Sequence, residues 1–176
     1  MPEVTNNMVE KTLIFAVKSH MGQKRKGNGL PYIVHPIGLA SILMEVKESK
    51  NMNLLLCAMF LHDVPENCGV SIKKIAKKFG HHVAALVEEL TLDKEKYETI
   101  GKTKLLCQEV LKMSSYALSI KLADRLYNVR DTKTMPQDFR VRYFDETKEI
   151  LKALEAKRKL SGSQKKLVNL IKKVIR

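Results

Sequence analysis

Residues 54–67 read LLLCAMFLHDVPEN. Every position from Leu54 to Leu61 is apolar, so a helix built from this run has no face left for water. That is the pattern of a central helix packed on all sides. The run is too short to span a membrane, which takes about 18 apolar residues or more. With Asn51 or Asn53 as its cap, it predicts a buried helix over Leu54–His62. Pro65 is expected to end or bend that helix just after a His-Asp pair.

Helical spacing continues in both directions. Upstream, Val9, Leu13, Ala16, Val17 and His20 share a face, with Thr5 to Asn7 offering caps. A basic, glycine-rich loop, GQKRKGNGL, covers 22–30. Pro36 then opens a helix through Met44. Downstream, Ser71 caps a short amphipathic helix that Gly80 stops, and another helix runs from about His82 to Leu90. The charged, weakly patterned segment 92–102 reads as a loop. Helices are expected over 104–113 and 118–130. After Pro136, Tyr143, Thr147, Ile150, Leu151 and Leu154 line one face. Ser161-Gly162-Ser163 breaks the chain before a last helix. No segment shows strand alternation bounded by turn residues. The expected class is all-α, an irregular multi-helix bundle rather than a regular four-helix one.

The chain has 176 residues, 44% of them apolar, with no Trp. This fits one domain, 1–176, with a core of Leu, Ile, Val, Ala and Met. Cys57, Cys68 and Cys107 form no CxxC pair, which predicts a reduced, cytoplasmic protein. The polar N-terminal stretch does not read as a signal peptide, and no segment reads as a membrane span. A net charge of +13 favours anionic partners without choosing among nucleotides, nucleic acid and acidic lipid.

His62 and Asp63, adjacent at a helix end, can offer one nitrogen and one oxygen to a single point. The bland alternative is a capped helix end. Burying the pair beside LLLCAMFL costs several kcal/mol unless the groups are paired or bind a metal. His35, before Pro36, either caps a helix or is a ligand. Asp124, within IKLADRL, either joins Lys121 or Asn128 on its own helix or is a ligand. Together His35, His62, Asp63 and Asp124 make an N₂O₂ set suited to Mn²⁺, Fe²⁺ or Zn²⁺, with Mg²⁺ a poorer match to two imidazoles.

The order His35, His62-Asp63, Asp124 resembles the HD phosphohydrolase superfamily. GQKRKGNGLPYIVHPIGLASIL, CAMFLHDVPEN, IAKKFGHHVAALVEELT and IKLADRLYNVRD, within 22–131, resemble the hydrolase domain of RelA/SpoT-type proteins. The stand-alone small alarmone hydrolases of the animal MESH type are similar again. The resemblance implies an HD-domain bundle that removes the 3′-pyrophosphate of guanosine tetra- or pentaphosphate, normally with Mn²⁺. It implies His35, His62, Asp63 and Asp124 as metal ligands and Glu66 as the acid that positions or activates water. It implies Arg25, Lys26 and Asn128 as substrate contacts, with Lys121 and Tyr143 as further ones. Arg125 and Arg130 fit ion pairing at least as well.

The family usually has HDVVEDT where this chain has HDVPENC. Asn67 replaces the second acid and cannot take a proton from water at neutral pH. Three readings follow: a guanosine bispyrophosphate hydrolase, an HD phosphatase for another 2′- or 3′-phosphorylated nucleotide such as NADPH, and a weakly catalytic alarmone-binding module. Cys68 reads as a packing residue. His20, His81 and His82 read as surface or capping residues. The basic C-terminal helix is expected to pack its apolar face on the bundle, which disfavours nucleic acid as the partner. After Asp131 too few residues follow for a synthetase domain. Homo-oligomerisation stays open.

Overall fold

The structure, a computed structural model, describes residues 4–176, with Lys94 described by its backbone alone. The all-α expectation holds. Among the described residues the only extended pairing is an isolated antiparallel bridge between Lys24 and Pro31. No helix among them is long and apolar enough to cross a membrane. The chain divides into two compact units, one ending at Thr91 and one beginning at Leu92.

In the first unit, the run that opened the reading forms α3, Met52–Leu61. Three helices pack on it: α1 (Asn6–Ser19), α2 (Val34–Val46) and α6 (His81–Leu90). Leu55, Cys57, Ala58, Met59 and Leu61 are fully buried as a result. Thr5 caps α1, its side chain accepting from Met8 N. Pro36 lies in the first turn of α2, where a missing N–H costs nothing. Pro65 does the same in α4 (Val64–Cys68). The expected break is therefore a new helical turn, with Asn67 N donating to Asp63 O at 2.9 Å. Ser71 caps α5 (Ile72–Phe79), which packs on α6 and buries Ile75 and Phe79, the latter edge-on to Phe15 of α1. Gly80, at φ +90°, makes the corner between them, a conformation that a side chain would strain.

In the second unit, the segment 92–102, read as a loop, contains helix α7, Lys94–Ile100. Asp93 caps it, accepting from Glu95 N at 3.1 Å and Lys96 N at 3.2 Å, and Gly101 closes it. None of its described side chains is buried, so no apolar period marked it; the cap residues were the signal.

Next come α8 (Lys102–Lys112), α9 (Ser115–Asp131), a 3₁₀ turn at Thr132–Thr134, α10 (Gln137–Lys157) and α11 (Gly162–Val174). α8 and α11 contact α10 and α9 respectively, and α9 also touches α10. Leu118, Ile120, Ala123, Leu126 and Val129 of α9 are fully buried. Ser161, read as a break, is the N-cap of a capping box with Gln164. Gln164 is itself buried and donates to Ser115 O at 3.0 Å. Leu167, Val168 and Ile171 are buried on α11, so its apolar face is spent on packing, as expected. Leu126→Ala should cost about 2–5 kcal/mol of stability, read from denaturant unfolding, because it empties a site with no path to solvent.

Candidate metal centre and active site

Three of the sequence-predicted ligands meet in the first unit. His62 ends α3, Asp63 precedes α4, and His35 is the second residue of α2. Both imidazoles are almost wholly buried, at 1% and 4% exposure. Asp63 Oδ2 is their common point. It lies 3.0 Å from His62 Nε2 and 3.6 Å from His35 Nε2. The two rings are 5.3 Å apart, centre to centre.

The tautomer of His62 follows from its other nitrogen. Nδ1 lies 2.7 Å from Met59 O. A carbonyl can only accept, so Nδ1 carries the proton and Nε2 of the neutral ring presents a lone pair. In the neutral ring that lone pair faces a carboxylate oxygen 3.0 Å away. A neutral imidazole nitrogen and a carboxylate oxygen held 3.0 Å apart are two electron-pair donors that a shared cation can bridge. The backbone-anchored imidazole is also the usual support of a metal ligand. The donor set therefore fits a divalent ion.

Glu66 and Asn67 lie on α4 and are exposed. Because the helical turn persists from Asp63, Glu66 stands three residues beyond Asp63 on a continuing turn, the spacing that keeps it on the same side. Cys68 is part-buried beside His20, with its sulfur 3.5 Å from His20 Nδ1. Burial pushes its thiol up; the Gln23 contact opposes that and the Asp63 charge adds to it. It remains a thiol in a packing position, as read. Arg25 is half-buried and Lys26 exposed in the basic loop. The loop is closed by Arg25 N donating to Leu30 O at 2.7 Å and Tyr32 N to Gln23 O at 2.9 Å.

In the second unit, Asp124 lies on α9 with both of its same-helix partners. Asn128 Nδ2 donates to Asp124 Oδ1 at 2.6 Å, and Lys121 Nζ is 3.6 Å from Oδ2. Arg125 has the ion pair that the sequence allowed. It is buried, its Nη1 reaches Glu146 Oε1 at 2.7 Å and Thr147 Oγ1 at 3.4 Å, and it lies 4.7 Å from the centre of the Tyr143 ring. Burial opposes its charge, but Tyr143, Glu146 and Asp124 outweigh that and raise its pKa above the ordinary value. Glu146→Ala would leave the guanidinium buried without its counter-charge. It should cost about 3 kcal/mol, while Arg125→Met with Glu146→Leu should come close to neutral. Tyr143 also lines a groove with Lys102 and Arg142.

Sequence reasoning passed over three residues. His20, read as surface or capping, is a helix C-cap but is buried, because its ring stacks on Tyr32 with centres 4.7 Å apart. Tyr32 reaches Asp63 through its hydroxyl, and Gln23 holds His20. The one available signal was the aromatic residue three positions before His35. His81 and His82 are exposed, as read.

Comparison with known proteins bears on this arrangement. The HD domain family matches residues 12–160. A Homo sapiens protein named guanosine-3′,5′-bis(diphosphate) 3′-pyrophosphohydrolase MESH1 is 35% identical over 147 residues, covering 80% of this chain and 81% of that one. GTP pyrophosphokinase rsh of Brucella melitensis is 29% identical over 175 residues. That match covers 96% of this chain and 23% of the Brucella protein, so the chain spans about a quarter of that relative's length. A solved structure described as "A metazoan ortholog of SpoT hydrolyzes ppGpp and plays a role in starvation responses" superposes with a TM-score of 0.81 at 30% identity, covering 96% of both chains.

Proposed function

The chain belongs to the HD domain family, and from that premise we propose that it is a metal-dependent phosphohydrolase removing the 3′-pyrophosphate of guanosine 3′,5′-bispyrophosphate. The observation that carries this reading is the meeting of His35 and His62 at one oxygen of Asp63. The similar human protein, named for that hydrolysis, supports the choice of substrate.

His35, His62, Asp63 and Asp124 hold the cation, Mn²⁺ in our reading. When bound, such an ion polarises a phosphoryl oxygen and makes water more acidic. Glu66 orients the attacking water and accepts its proton, a task for an exposed carboxylate beside the ligands. Asn67 can orient the water by hydrogen bonding but cannot take its proton. Arg25 and Lys26 bind the anionic substrate, Arg25 with a guanidinium fork that matches phosphate. Lys121, Asn128 and Tyr143 are further substrate contacts from the second unit. Free Cys57, Cys68 and Cys107 support a cytoplasmic site of action.

The test is turnover of the purified chain with Mn²⁺ across phosphorylated nucleotides. Pyrophosphate and a 5′-diphosphate should appear from guanosine 3′,5′-bispyrophosphate. Orthophosphate from NADPH with no pyrophosphate from the guanosine compound would replace this reading with a general HD phosphatase. Tight nucleotide binding without turnover would make the chain a regulatory module.

A further inference from the structure

Tyr32 joins the basic loop to the His-Asp pair. Its hydroxyl donates to Asp63 Oδ2 at 2.5 Å, the length of a hydrogen bond to a charged oxygen. Its ring is gripped by neighbours. His20 stacks on it at 4.7 Å with 24° between planes. His35 meets it edge-on at 5.9 Å. The Arg25 guanidinium lies 5.6 Å from its centre.

His20 is fixed in turn. Gln23 Nε2 donates to Asn67 O at 3.0 Å, so Gln23 turns its Oε1 toward His20 Nδ1, 2.8 Å away. An amide oxygen only accepts, so His20 Nδ1 carries the proton. The chain of contacts thus runs from the α4 backbone through Gln23 and His20 to the phenol, and from the phenol to Asp63.

We propose that Tyr32 is a positioning residue of the metal centre: its hydroxyl sets the orientation of the Asp63 carboxylate, and the Gln23–His20 shelf sets Tyr32. Asp63 is 21% exposed and follows the end of α3, so neither backbone helix nor packing alone fixes its side-chain rotation. A ligand that arrives already oriented loses less freedom when it takes up a cation. Removing such outer supports typically weakens metal binding by about 10–100-fold. The inference rests on the metal-centre reading above.

The test measures Mn²⁺ affinity of the full chain by electron paramagnetic resonance, a readout independent of any substrate. Tyr32→Phe keeps the ring and its stacking and removes only the hydroxyl. It should weaken Mn²⁺ binding about tenfold or more with the melting temperature held within a few degrees, and raised Mn²⁺ should restore turnover. Gln23→Ala leaves the phenol intact and removes the Gln23 contact from His20, and should weaken Mn²⁺ binding in the same direction by a smaller factor than Tyr32→Phe. Should Tyr32→Phe not fold, Gln23→Ala carries the test alone. Wild-type affinity in the folded variants overturns the proposal while leaving the metal centre standing. A wild-type chain that takes up no Mn²⁺ overturns both.

Discussion

Asp63→Ala should lower metal-dependent pyrophosphate release about a thousandfold or more. The substitution removes the one oxygen on which His35 Nε2, His62 Nε2 and the Tyr32 hydroxyl converge. A Lewis-acid centre contributes several kcal/mol of transition-state charge stabilisation, and each 1.36 kcal/mol is tenfold in rate. Stability should change little, because the Asp63 side chain makes no capping hydrogen bond to α4 and is part-exposed. Mn²⁺ affinity should fall with the rate. The checks are a pyrophosphate assay at fixed Mn²⁺ and a thermal melt on the same sample. A folded variant retaining most of its turnover would show that the His-Asp pair is not the reacting centre.

Glu66→Gln should separate chemistry from metal binding. The amide fills the same space on the exposed first turn of α4 and can still hydrogen-bond water, but it takes no proton. Loss of a general base costs about 10²–10⁴ in kcat. Because Glu66 is outside the ligand set, Mn²⁺ affinity should stay near the wild-type value. Asn67→Asp supplies the companion measurement. With Glu66 as sufficient base, restoring the family's second acid should change kcat by less than about tenfold, a small share of what a lost base costs. A hundredfold gain would instead identify the natural chain as the weakly catalytic module.

How much of this was legible in the sequence differs by residue. α3 was plain, because eight successive apolar residues must be buried on every side and the flanking Asn caps, with no β-branched residue in the run, favour a helix over a strand. His62 and Asp63 stood out for the same reason, as polar groups at the end of a buried run need partners. α7 was hidden, since an exposed helix has no apolar period and only Asp93 and Gly101 mark its ends. Pro65 was read as ending or bending the central helix, and α3 does stop before it, at Leu61; what the reading lacked is that the same proline sits in the first turn of α4. Tyr32, His20 and Gln23 could not be assigned, because the contacts that tie them to Asp63 and to the α4 backbone span 31 and 44 positions and a sequence carries no record of which side chain turns toward which. Asp124 was legible as a candidate, yet its bonds to Lys121 and Asn128 are the ones an ordinary helical aspartate makes. Its place in the ligand set rests on the proposal.

Anomalous diffraction at the manganese edge, from crystals of the full chain grown with Mn²⁺, tests that set most directly. A single strong peak in contact with His35, His62, Asp63 and Asp124 is the predicted result. A map without a peak there, or with an ion that leaves Asp124 unengaged, would contradict it.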